Sequence, residues 1–97
     1  MGCQLQIWRD SPISKSVFTG AHQHLVNALI EARKRSGLTQ AQLAAKVGKD
    51  QSFISIIERS QRRVDVLEFY ALATAMGADP VKLFADVAQK LPKEISI

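Results

Sequence analysis

From Ala21 onward, apolar residues recur at helical spacing almost without interruption. Leu25, Ala28, Leu29 and Ala32 stand at i, i+3, i+4 and i+7, one stripe along a helix expected from about Ala21 to Ser36. Arg33, Lys34 and Arg35 put cations at its C-terminal end, where they complement the helix dipole, and Gly37 stops it. A second helix opens at Thr39, because Thr39 and Gln42 have the spacing of a capping box. Its inner face is Leu43, Ala44 and Val47, and Gly48 ends it. Asp50 caps a third helix, which turns Ile54 and Ile57 inward and ends near Arg59. Asp65 and Glu68 repeat the capping pattern at the head of a fourth helix, running through Met76 to a stop at Gly77. Asp79-Pro80 starts a fifth, with Pro80 at the first helical position, where its missing N–H costs nothing. Pro92 closes it.

Residues 1–20 carry no helical period and contain Ser11, Pro12, Ser14, Ser16 and Gly20. They read as an irregular N-terminal arm, with Val17 and Phe18 as candidates for packing down. The chain therefore divides into an arm at 1–20, a domain at 21–91 and a tail at 92–97. The domain is all-α, five helices joined by the short connections normal for compact helical folds.

A length of 97 residues allows one domain with a modest core. No apolar run is long enough to cross a membrane, and no membrane role is expected. The opening "MGCQLQIWRD" lacks the apolar region and cleavage site of a secretory signal. Gln6, where the myristoylation pattern wants Ser or Thr, argues against acylation of the Met-Gly-Cys start. The lone Cys3 cannot form an internal disulfide and suits a reducing cytoplasm.

Charge changes the picture more. Between Arg33 and Arg63 lie eight cations and two acids, a net +6, whereas the remainder carries five cations and seven acids, a net −2. Such focusing suits a polyanionic partner, although a solvated basic surface would look the same. Catalysis has little to build on. His22 and His24 are two apart and share no helix face, and there is no Cys/His metal spacing, no Gly-rich phosphate loop and no nucleophile signature. No enzyme activity, cofactor or metal is expected.

The second and third helices are short and joined by a tight turn. Ala44 is small enough to lie under the facing helix, and Gly48 can take a positive φ. Leu43, Val47, Ile54 and Ile57 fill the angle between the two, a helix-turn-helix. The segment "GLTQAQLAAKVGKDQSFISIIERSQRRVDVLEFYALATAMGADP" resembles the DNA-binding domain of phage-repressor (Cro-like, XRE) regulators. The resemblance covers roughly Leu25 to Phe84. It implies a repressor-like five-helix fold, a double-stranded DNA partner, a third helix in the major groove and a second helix across the backbone.

Gln51 lies at the N-terminus of the third helix, the end that enters the groove, with Ser52, Ser55, Ile56 and Arg59 on its outward face. Gln bonds adenine bidentately, Ser bonds several base edges, and Ile56 suits a thymine methyl. By resemblance, Gln40 bonds a phosphate and braces Gln51. Arg62 and Arg63 match phosphate-contacting positions, and Lys49 in the turn is a further candidate. Glu58 matches a family acid that pairs with an arginine of the first helix, here Arg33, as a structural ion pair. Three positions depart from the family pattern. Ser60 stands where glycine is usual and would be strained at positive φ by roughly 1 kcal/mol. Ile56 replaces a polar residue. Phe53 replaces a tyrosine and is expected against sugar or in a partner groove. Taken singly, these residues have plainer readings: solvated glutamines, neutral surface serines, a helix-end cation at Arg59, and solubilising arginines at 62 and 63.

One helix-turn-helix reads few base pairs, and this family commonly binds as two-fold dimers with half-sites about one helical turn apart. Phe84, Val87, Ala88 and Leu91 form a stripe in the fifth helix. With Trp8 and Phe18 it is the expected homodimer interface; the other reading makes it core. The expected function is a cytoplasmic, sequence-specific transcriptional regulator, a repressor. Two alternatives stand beside it. One is an antitoxin that binds DNA and a toxin partner, using Ile7 and Trp8. The other is a protein-interaction module that has lost DNA binding, which an outward Phe53 and Ile56 would favour.

Overall fold

The computed structural model describes residues 20–95. Among them are five helices: α1 (Ala21–Ser36), α2 (Gln40–Lys46), α3 (Gln51–Glu58), α4 (Val66–Ala75) and α5 (Pro80–Lys90). The bounds follow the local chemistry. Thr39 accepts from the Gln42 backbone N–H while the Gln42 side chain accepts from the Thr39 N–H, closing a capping box at α2. Asp65 and Glu68 do the same at α4. Asp50 and Asp79 cap α3 and α5, the latter with Pro80 in its first turn. α4 ends at Ala75 with Met76 as its cap, and α5 ends at Lys90 with Leu91 as its cap, just before Pro92. Residues 1–19 of the arm, with Cys3, Ile7, Trp8, Val17 and Phe18, lie outside the described residues.

The core is one cluster built from all five helices. It joins Leu29 and Ala32 of α1, Leu43 and Ala44 of α2, Ile54 and Ile57 of α3, Phe69, Leu72 and Ala73 of α4, and Leu83 of α5. Val47 is only half-buried at the rim. In α1 the buried sector is wider than the expected stripe. Val26 and His22 are buried with Leu29 and Ala32, whereas Leu25 and Ala28 are half-buried. α1 meets α3, α4 and α5, so more of its circumference is covered.

The structure corrects the expected interface on α5. Val87 is 1% exposed and belongs to the core. Leu83 and Val87, one turn apart, point inward against α1 and α4. Phe84 is 48% exposed and meets Phe69 edge-on, with ring centroids 5.9 Å apart. Ala88 is exposed and Leu91 half-buried. The stripe of four therefore splits, because the helix is rotated so that the Leu83 row, not the Phe84 row, faces the core.

α2 and α3 end in the same way. Beyond α2 the Lys49 N–H donates to the Ala44 carbonyl and the Gly48 N–H to the Ala45 carbonyl, with Gly48 at φ 73°. A Cβ on Gly48 would meet nothing within 4 Å, so the glycine is required by its φ and not by crowding. Beyond α3 the Gln61 N–H donates to Ile56 and the Ser60 N–H to Ile57, and Ser60 takes the left-handed position at φ 59°. Its hydroxyl donates to Gln23 Oε1 of α1 at 2.6 Å. Ser60→Ala keeps the strain and loses this bond. Ser60→Gly loses the bond and relieves the strain. In urea titrations Ser60→Gly should exceed Ser60→Ala in stability by about 1 kcal/mol. Equal stabilities would mean that the left-handed serine costs nothing.

Candidate nucleic-acid interface

The turn after α2 sets where α3 begins. Gly48 reverses the chain within a few residues, and Asp50 then accepts from the Phe53 N–H and caps α3. The Ser52 hydroxyl donates to Asp50 Oδ1 at 2.6 Å. This bond, with the Phe53 backbone bond, holds the Asp50 carboxyl below its usual pKa. Gln51, the first residue of α3, is exposed.

A chain of polar side chains runs from the interior to Gln51. Arg33 of α1 meets Glu58 of α3 at two points, Nε to Oε2 at 2.6 Å and Nη2 to Oε1 at 3.0 Å. The two side chains are 12% and 10% exposed. The third guanidinium contact, Nη1 to the Leu38 carbonyl at 2.9 Å, ties the same arginine to the loop before α2. Gln40 Nε2 donates to Glu58 Oε1 at 2.8 Å, and Gln51 Nε2 donates to Gln40 Oε1 at 2.9 Å. The side chain at the head of α3 is thus fixed from α1, through α3 itself and α2.

The outer face of α3 carries the other expected residues. Ser55 and Ile56 are half-exposed, and Arg59 is exposed. Arg59 Nη1 donates to Ser55 Oγ at 2.6 Å and Nη2 to Gln61 Oε1 at 3.3 Å, so the guanidinium lies along the helix end. Ser52 is exposed, but its hydroxyl proton is committed to Asp50.

One expectation needs correction. Phe53 does not project outward: it is half-buried and packed on the core. Lys49 Nζ lies over its ring, 5.3 Å from the centroid, and the Arg62 guanidinium at 5.2 Å. Arg62 and Arg63 are also unequal. Arg62 forms two parallel hydrogen bonds to Glu68 of α4, at 3.0 and 3.1 Å. That guanidinium holds the Glu68 carboxyl below its usual pKa against the opposing effect of burial. Arg62 is thus a tether between the loop and α4 before it is anything else, whereas Arg63 is exposed.

His22 is a part that sequence reasoning passed over. Its Nε2 accepts from the Val64 backbone N–H at 3.2 Å, anchoring the loop that carries Arg62 and Arg63 to α1. Burial, then the nearby Arg63 charge, keep its pKa below the ordinary imidazole value. A separation of 42 positions leaves no sequence signal for this contact. The same holds for the bond from Gln40 to Glu58. Arg62 and Glu68 are six apart across a loop and a cap, a spacing that fits no helical pairing rule.

Among the described residues there is no cluster of His, Cys, Asp or Glu able to hold a metal, and no helix is long and apolar enough to cross a membrane. The arrangement is a rigid polar head on a short helix with cations beside it. Lys49, Arg59 and Arg63 supply positive charge, and Gln51 supplies an oriented amide.

Comparisons with known proteins agree with this geometry. A family model described as helix-turn-helix matches residues 29–83. An XRE-family like protein from Pseudomonas syringae pv. tomato str. DC3000 superposes with a TM-score of 0.72 at 38% identity, over 80% of this chain and 95% of that one. The restriction-modification controller protein C.AhdI from Aeromonas hydrophila superposes with a TM-score of 0.60 at 34% identity, over 69% of this chain and 96% of that one. An uncharacterized HTH-type transcriptional regulator, y4dJ, of Sinorhizobium fredii (strain NBRC 101917 / NGR234) is 39% identical over 51 residues. The match spans 53% of this chain and 66% of that relative's length. The fold, the turn geometry and these likenesses together place the chain in the XRE-like helix-turn-helix family of DNA-binding transcriptional regulators.

Proposed function

We propose that this protein is a sequence-specific repressor that inserts α3 into the major groove of double-stranded DNA. The observation that carries the reading is the Gln51 amide, exposed at the head of α3 and held there by Gln40. The major groove admits one α-helix, and a glutamine at its leading end matches the N6 and N7 groups of adenine. Ser55, Ile56 and Arg59 on the outward face extend the contact, and Ser52 joins as an acceptor. Gln40 keeps one amide N–H for a phosphate at the start of α2. Arg63 and Lys49 flank the helix as phosphate contacts, with Arg62 serving through its tether to Glu68. Such a protein represses by occupying its operator, and it works in the cytoplasm. The toxin-partner reading drew on Ile7 and Trp8, outside the described residues, and Phe53 packed inward leaves Ile56 alone in favour of an interaction module without DNA binding.

We also propose a homodimer, on a surface moved from the one the sequence suggested. Phe84 stays in it, whereas Val87 lies in the core and Leu91 is not part of the lining. Val66 and Val81, 77% and 78% exposed, join Tyr70 and Phe84 around an apolar groove of about 520 Å³ between α4 and α5. An exposed apolar patch of this kind marks an interaction surface. Two copies are also what a selective operator needs.

Selection of bound fragments from random duplex DNA, followed by footprinting, tests the function. A two-fold symmetric site occupied with repression of a linked reporter is expected; no enrichment of any sequence overturns the reading. On the selected site Gln51→Ala should cost about 1–3 kcal/mol and level the base preference at one position. An equal loss on every single-base variant would remove Gln51 from base reading. Arg63→Ala should weaken binding to all duplexes alike and flatten the log K against log salt slope by about 0.9. An unchanged slope with altered sequence preference would make Arg63 a base reader. Val81→Asp should leave the fold intact, raise the dimer dissociation constant and weaken operator binding. A Val81→Asp protein as dimeric as its parent would rule this groove out.

A further inference from the structure

We infer that Glu58 is a positioning residue for sequence choice: its carboxylate fixes which way the Gln40 and Gln51 amides face, and so which base Gln51 accepts. The inference rests on the reading that Gln51 meets a base.

Hydrogen-bond direction carries it. A guanidinium only donates, and a carboxylate only accepts. Arg33 occupies both Glu58 oxygens, at 2.6 and 3.0 Å, and its remaining contact to the Leu38 carbonyl holds it in place. The carboxylate is therefore a fixed acceptor, screened from water at 10% exposure. Gln40 lies 2.8 Å from Glu58 Oε1, and only its amide nitrogen can face that oxygen. The Gln40 carbonyl oxygen is then turned toward Gln51. Gln51 must present its own nitrogen in answer, at 2.9 Å. One acceptor in the interior thus sets two amides in sequence, and neither can flip without facing like against like.

Each amide nitrogen carries two N–H groups, and the relay uses one of them. Gln51 keeps its carbonyl oxygen and one N–H. In that sense of rotation the pair matches adenine, whose N6 donates and N7 accepts. A flipped Gln51 would exchange donor and acceptor. It would offer an N–H where adenine has its amino group and an oxygen where a purine has N7, and would suit the O4 of thymine better than either purine. The carboxylate removes this second state. A glutamine in place of Glu58 could offer either end to Gln40 and would restore it.

The full-length protein tests this with two variants. One is Glu58→Gln. The other, Arg33→Met with Glu58→Leu, removes the acceptor without leaving an unpaired buried charge, and serves if the first does not fold. Each is measured on the selected site and on its three single-base variants at the position where Gln51→Ala alters preference. A well-made bidentate contact separates bases by about tenfold to a hundredfold. Folded variants should bring that ratio down to a few-fold, with an unchanged salt slope. In a Gln51→Ala background they should change the ratio no further. A folded variant that keeps the parental ratio overturns the inference and leaves Gln51 as a base reader. A change of equal size in the Gln51→Ala background overturns it as well, because the effect would not pass through Gln51. If Gln51→Ala itself alters no preference at any position, the base-reading role fails and the inference fails with it.

Discussion

The ion pair between Arg33 and Glu58 is the joint on which the exposed head of α3 depends. It fastens α3 to α1 and, through the Leu38 carbonyl, holds the loop that leads into α2. Its worth lies less in stability than in direction. A pair at this depth loses hydration on both charges, so its net contribution to folding is small. What it fixes is geometry: three helices meet at one guanidinium and one carboxylate, and the exposed amide at the head of α3 inherits its position from them.

A second clamp works on the opposite flank of α3. Arg62 is paired to Glu68 of α4 and stacked over Phe53, while His22 holds Val64 to α1. The loop after α3 is thereby tied at both ends of its basic stretch. Ser60 stands at the start of that loop in a left-handed conformation, where its hydroxyl also reaches α1. Phe53 explains why a chain without the usual tyrosine keeps this arrangement. Its ring supplies a face for two cations and packs its other atoms on the core, and neither contact needs a hydroxyl. The basic charge around α3 is therefore divided in use. Part of it is spent on holding the fold, and the exposed part is left for a polyanion.

How α5 sits decides what the groove between α4 and α5 can do. With Leu83 and Val87 turned inward, Phe84 and Val81 remain outside beside Val66 and Tyr70 of α4. The apolar surface so formed is continuous across two helices and borders Val64 and Asp65 of the loop before α4. A monomer that keeps such a surface uncovered leaves apolar area in water at about 25 cal/mol per Å². That cost is why the proposed dimer is placed on this face.

The amino-acid sequence by itself determined the helices and their ends. Thr39 with Gln42, Asp65 with Glu68, Asp50, Pro80 and Gly48 act within a turn or so of where they stand, so spacing is enough to read them. The helix-turn-helix was legible for the same reason, and the left-handed Ser60 was legible as a departure from glycine. The residues at the head of α3 were legible through family resemblance, as was the pairing of Arg33 with Glu58 across 25 positions. Only the tertiary structure decided the rest. Val26 and His22 are buried because α1 meets α3, α4 and α5, and Val87 is core because packing set the rotation of α5. The bonds from Gln40 to Glu58, from Arg62 to Glu68 and from Val64 to His22 join groups that no helical period brings together. Periodicity states which residues share a face. Which neighbour that face meets, and at what angle, is settled by how the volumes of all five helices fill one core.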